Sequence, residues 1–133
     1  MRILVVSLLF PLPTNVARGT FVSDNVKLLE SMGHEIKVVN PLPRMLKYQE
    51  SSRSTLTGVS QAPKQFTHGD TQVIAPRFWG LPGHPYPSIT MRSMKRIAKK
   101  VESWLGDWTP EIIICHTMWP AGDLASRLAK RMD

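Results

Sequence analysis

The spacing of apolar residues changes twice between Met1 and Asn40. Arg2-Ile3-Leu4-Val5-Val6-Ser7-Leu8-Leu9 is a short, almost continuously apolar and partly β-branched run, as a strand covered on both faces requires. From Thr20, read as the N-cap, Phe21, Val22, Val26, Leu28, Leu29 and Met32 recur at mostly helical intervals, while Asp24, Lys27 and Glu30 mark a wet face. Gly33 supplies a left-handed stop. His34 to Val39 resumes an extended pattern that Asn40-Pro41 ends. The three segments predict a right-handed βαβ crossover.

Pro41 to Asp70 is rich in breakers, including Ser51-Ser52-Arg53-Ser54-Thr55, and predicts at most a helical turn around Leu46 to Glu50. Thr71 to Pro76 reads as a third strand and Phe78 to Pro87 as a rigid aromatic loop. Phe78, Trp79 and Tyr86 there suit either a cleft wall or a lid over the core. Between Ser88 and Leu105, Ile89, Met94, Ile97, Ala98, Val101 and Leu105 form a helical stripe. Glu111 to His116 is a fourth strand, and Trp119-Pro120-Ala121-Gly122 leads into a further helix. There are no internal repeats. These elements predict one α/β domain over residues 1–133, a Rossmann-like open parallel sheet with helices on both faces. With a strand order of 3-2-1-4, Phe10 to Gly19, Asn40 and His116 to Gly122 converge at the carboxyl ends of the strands, where such sheets bind ligands.

Two groups of residues carry a family resemblance. Arg18-Gly19-Thr20-Phe21-Val22 with Gly33-His34-Glu35-Ile36, and Glu111-Ile112-Ile113-Ile114-Cys115-His116 with Trp119-Pro120-Ala121-Gly122, resemble the N-terminal, acceptor-side domain of GT-B glycosyltransferases of the retaining family 4. The resemblance implies transfer of a sugar from a nucleotide-sugar donor to a polysaccharide or lipid-linked acceptor, with the nucleotide sugar a co-substrate and no other cofactor. It also implies a second domain that holds the donor's nucleotide through two glutamates spaced eight apart; no segment here matches them, so this chain is expected to be an inactive half. His116 falls where the family places a histidine against the donor sugar, and retention there involves no protein nucleophile. Arg18, Gly19, Thr20, Asn40, Trp119 and Gly122 are the expected donor-phosphate or acceptor contacts. Backbone N–H groups at Gly19 and at the following helix start suit a phosphate, although the family carries two adjacent glycines there and this chain one. The rival is a standalone, non-catalytic flavodoxin-like or nucleotide-sugar-binding module.

Composition narrows the alternatives. A chain of 133 residues buries about two-thirds of its unfolded surface, enough for one real core. The lone Cys115 forms no internal disulfide and is expected to be buried and inert. Adjacent strand residues point to opposite faces, which argues against a Cys115-His116 dyad. Arg2 followed by Ile3 to Phe10 also has the order of a signal peptide, but Pro11, Pro13 and the lack of an A-x-A site oppose it. No apolar run is long enough to span a bilayer.

Seventeen Lys and Arg against ten Asp and Glu leave a net charge of +7, which suits an anionic partner. Arg92, Lys95, Arg96, Lys99 and Lys100 share the wet side of the fifth predicted segment. That side fits an anionic membrane surface, where each cation contributes about 1 kcal/mol; it equally fits a packed helix with a solvated face. A cytoplasmic protein, peripheral on the inner membrane face, is the corresponding expectation. Nucleic acid is disfavoured, because no aromatics interleave with these cations. G-x-G-x-x-G and Walker loops are absent, and Asn40 stands where an NAD domain places an acid. His34, His68 and His84 lack partners at metal-ligand spacing, and no carboxylate pair suggests acid-base hydrolysis.

Overall fold

The computed structural model describes residues 1–50, 55–80 and 86–132. Among these residues, seven strands and three α-helices follow in chain order: β1 (Arg2–Ser7), α1 (Thr20–Ser31), β2 (Glu35–Val39), β3 (Leu42–Pro43), β4 (Gln65–His68), β5 (Thr71–Ile74), β6 (Arg77–Phe78), α2 (Pro87–Leu105), β7 (Ile112–His116) and α3 (Ala121–Arg131). A five-stranded sheet runs β4-β5-β2-β1-β7, and β3 and β6 form a separate two-stranded ladder. All pairings are parallel except that of β4 with β5. The protein is therefore a mixed α/β protein with a mostly parallel sheet. The succession β5-β2-β1-β7 is the expected 3-2-1-4.

β1 lies between β2 and β7, and all its residues after Arg2 are buried. Because successive side chains face opposite ways, it feeds two cores. Ile3 and Val5 pack with Val22 and Val26 of α1 and with Ile36 and Val38 of β2. Leu4 and Val6 pack with Met94, Ile97, Ala98 and Val101 of α2 and Leu124 and Leu128 of α3. Helices thus cover both faces, which explains why β1 reads as continuously apolar rather than alternating. A third cluster, Leu12, Leu42, Val59, Ala62 and Ala75, lies beneath the segment between β2 and β5.

Several expectations need correction. The N-cap of α1 is Gly19, at φ 61°, and Thr20 is the first helical residue. Phe21, Leu28 and Met32 are exposed (55, 60 and 64%). At 3.6 residues per turn they form a line about a third of a turn from Val22, Val26 and Leu29, the line that meets the sheet. Ile89 is likewise exposed, and α2 buries Thr90 and Ser93 in its first turns instead. Cys115 is exposed, not buried: β7 is the outermost strand of the sheet and pairs only with β1 among the described residues, so one of its edges lacks cover.

The breaker-rich stretch holds more structure than its composition suggests. A 3-10 turn at Lys47–Gln49 answers the expected helical turn. β4, unforeseen, turns through Gly69-Asp70 into β5, with Gly69 at φ 63°. The third strand ends at Ile74, and Phe78 enters the core at the end of β6 while Trp79 and Tyr86 stay exposed. Ser51 to Ser54, and the part of the aromatic loop from Leu81 to Pro85 with His84, lie outside the described residues. Among the described residues no helix is long and apolar enough to cross a membrane.

Candidate functional site

At the carboxyl ends of β1, β2 and β7 the chain turns three times, and one side chain ties the first two of these turns together. Arg18, 6% exposed, donates from Nη2 to Leu8 O (2.5 Å), from Nη1 to Phe10 O (2.9 Å) and Asn40 Oδ1 (3.1 Å), and from Nε to Thr55 O (2.7 Å). Asn40 is fully buried; its Nδ2 donates to Ser7 O at 2.7 Å and its backbone N–H to Ile74 O at 2.8 Å. The loop after β1 is thus held against the end of β2 by a planar fork that fits several carbonyls at once. Desolvation pulls the pKa of Arg18 down to about 10, so the side chain remains cationic at neutral pH. All its acceptors are neutral oxygens, and neither ion pair among the described residues includes it.

Above this cation opens a cleft of about 470 Å³. Leu8, Leu9, Pro41, Pro43 and Phe78 supply apolar wall, and Thr117, Trp119 and Pro120 form the side that follows β7. Trp119 is half exposed, and Thr117 holds φ 79°, an unusual value for a β-branched residue. An apolar cleft with few polar groups and one fixed cation suits an organic ligand that carries an anionic group. The exposed indole offers a flat face for a sugar or similar ring.

The expected site residues divide on this geometry. Arg18 and Trp119 line the cleft, and Asn40 lies beneath it, bonded to Arg18. Gly19 lines a smaller hollow of about 290 Å³ with Ala17 and Arg18. A Cβ on Gly19 would stand 2.6 Å from Leu9 C and Phe10 N, so close packing of two loop segments already requires glycine here. Thr20 is exposed and absent from the cleft wall. Gly122 lies in the first turn of α3, donates to Met118 O, and has room for a Cβ, whose nearest neighbour would be Thr117 O at 3.9 Å.

His116 ends β7 opposite Ser7 of β1. Its ring meets Phe21 of α1 edge-on, with centroids 6.4 Å apart, and does not line the cleft. Cys115 Sγ donates to Thr117 O at 3.1 Å, and partial desolvation of the otherwise exposed side chain raises its pKa. Phe78, offered by the sequence as cleft wall or core cover, lines the cleft, as do Thr55, Pro43 and Thr90; nothing in the local sequence marks Thr55 or Pro43. Thr90 carries a hint, as a polar residue on the buried line of an amphipathic helix. Among the described residues no group of His, Cys, Asp and Glu is arranged to hold a metal ion.

Fold and cleft define an α/β protein with a ligand-sized opening at the carboxyl ends of its parallel strands. Compared with protein-family models, curated proteins and solved structures, the chain has no match.

Proposed function

We propose that this chain is the Rossmann-like, acceptor-side half of a retaining GT-B glycosyltransferase. It transfers a sugar from a nucleotide sugar to a polysaccharide or lipid-linked acceptor, in concert with a second domain that binds the nucleotide. The observation that carries this reading is the strand-end cleft: a buried, carboxylate-free cation at Arg18 beneath apolar walls and the half-exposed Trp119. Such a cleft matches an acceptor with a sugar ring and an anionic or lipid-phosphate group. In this reading His116 serves the donor side, one residue before the turn at Thr117, and Arg18 acts chiefly by holding the loop that forms the floor.

Two titrations test the proposal. Calorimetry of the 133 residues with UDP- and GDP-sugars should show no micromolar binding, because most donor contacts belong to the second domain. Micromolar affinity would favour the standalone nucleotide-sugar-binding module. Amide spectra recorded with glycans and polyprenyl-phosphate sugars should shift at Leu9, Thr117 and Trp119 for at least one acceptor, and Trp119→Ala should remove the shifts. Shifts confined to other surfaces would refute the acceptor cleft.

A further inference from the structure

A second concavity, of about 580 Å³, lies between α2 and the β3, β4, β5 and β6 segments. It shares no lining residue with the strand-end cleft. Arg44, Lys64, Arg77, Lys99 and Lys100 all line it, together with Trp104, and among the described residues no carboxylate does. The cations come from four separate stretches of chain, so the fold gathers them; no single basic run accounts for them. None of the five belongs to either ion pair among the described residues, both of which involve α3.

Like charges held around one hollow repel, and the structure fixes the two arginines there rather than dispersing them. Arg77 donates to Ala75 O, Val59 O and Ala62 O, which pins its guanidinium at the wall. Among the described residues, its Nε–H and one Nη1–H have no acceptor. Arg44 sits 5.0 Å from the ring centroid of Trp79, a stacking that orients a planar cation. Burial and the nearby charge of Arg44 both lower the pKa of Arg77, which places the two guanidiniums within electrostatic reach. Of the α2 cations, Lys99 and Lys100 line the hollow, whereas Arg92, Lys95 and Arg96 are exposed on the same helix without lining it.

We infer that this hollow binds a compact polyphosphate group through Arg44, Lys64, Arg77, Lys99 and Lys100. The Arg44 fork matches the oxygen geometry of phosphate, Arg77 adds its remaining N–H groups, and the lysines add point charges around it. The volume lies in the range of small-ligand pockets and suits a di- or triphosphate better than a polymer laid across the surface. The source is either a soluble phosphate ester or the headgroup of an anionic lipid. The inference does not depend on the transferase reading.

Tripolyphosphate titrated into the whole chain at about 150 mM salt tests the soluble source. Co-sedimentation with phosphatidylcholine vesicles that carry a diphosphate-headed lipid such as a polyprenyl diphosphate, against phosphatidylcholine vesicles alone, tests the headgroup. Three exposed lysines are altered together in Lys64→Gln/Lys99→Gln/Lys100→Gln. Arg77 is left intact, because its carbonyl bonds hold the fold. The control, Lys95→Gln/Arg96→Gln/Arg92→Gln, removes the same charge from outside the hollow.

Binding in at least one arm that falls about tenfold in the first variant and less than about twofold in the control supports the site; the arm that responds identifies the source. No binding in either arm overturns it, as does an equal loss in both variants. Binding of a single-stranded DNA oligonucleotide with the same lysine dependence but tighter than tripolyphosphate would also overturn it, in favour of a polymer surface. Circular dichroism of both variants confirms that each remains folded.

Discussion

Replacing Arg18 should destabilise the whole carboxyl edge of the sheet, and its bonds set the size of the effect. Four hydrogen bonds from a charged donor contribute about 1.5–3 kcal/mol each, or roughly 6–12 kcal/mol together. Desolvation, which brings the pKa to about 10, offsets about 3 kcal/mol of this, and freezing the long side chain offsets about 2 kcal/mol. Arg18→Met should therefore cost about 4 kcal/mol, a fall in Tm of roughly 12 °C at this chain length. Arg18→Lys retains the charge, but a single ammonium lacks the fork that serves Leu8, Phe10, Asn40 and Thr55 together, so it should lose about 3 kcal/mol. Urea unfolding followed by tryptophan fluorescence measures both. If Lys restores stability to within about 1 kcal/mol of the parent, the charge matters more than the fork and the clamp argument fails.

Gly19→Ala adds a Cβ within 2.6 Å of loop backbone at φ 61° and should cost about 3 kcal/mol. Gly33→Ala, at φ 92° with nothing within 4 Å, should cost only about 1 kcal/mol; thermal melts that rank them equally would refute the packing argument. Glu50 accepts from the Ser60 side chain and from the backbone N–H groups of Ser60 and Gly58, and these bonds hold its carboxyl below the usual range. Its stabilisation is therefore complete above the ordinary carboxylate pKa of about 4.3 and is lost as pH falls through the lower folded value. Hydrogen exchange at Gly58 and Ser60, corrected for intrinsic rates, should quicken there and not near neutrality. Cys115 is exposed yet has a raised pKa, so dithionitrobenzoate should titrate one thiol in the native protein, more slowly at neutral pH than a free thiol and faster as pH rises; faster-than-free reaction would show an activated thiolate instead.

The long periodic segments were legible because burial imposes the period. Ile3 to Val6 had to be apolar throughout to meet helices on both faces, and the βαβ order follows from it. β4 escaped notice because Gln65 and Thr67 face solvent and only Phe66 and His68 are half buried. The Gly69-Asp70 pair between two extended runs was the signal for that hairpin. β3 and β6, two residues each, are too short to carry any period. At the candidate site, Arg18 and Asn40 stood out by position, but the bond joining them spans 22 residues of chain and depends on how the two loops meet. Helical periodicity also overstated the apolar face of α1: Phe21, Leu28 and Met32 fit a helix, and only the position of the sheet decides which line is covered.

The outer edge of β7 bears on how the protein behaves in a tube. Ile112-Ile113-Ile114-Cys115 contains no charge and no proline, and its outer edge, unpaired among the described residues, offers N–H and C=O groups to a passing strand. What holds copies apart is the +7 surplus, whose reach shrinks from about 10 Å at 0.1 M salt to about 3 Å at 1 M. Colloidal stability therefore rests on long-range repulsion rather than on a protected edge. Dilute buffers below the pI of about 10.0 keep that repulsion intact, and salting-out would bring edges together before it disturbed the core.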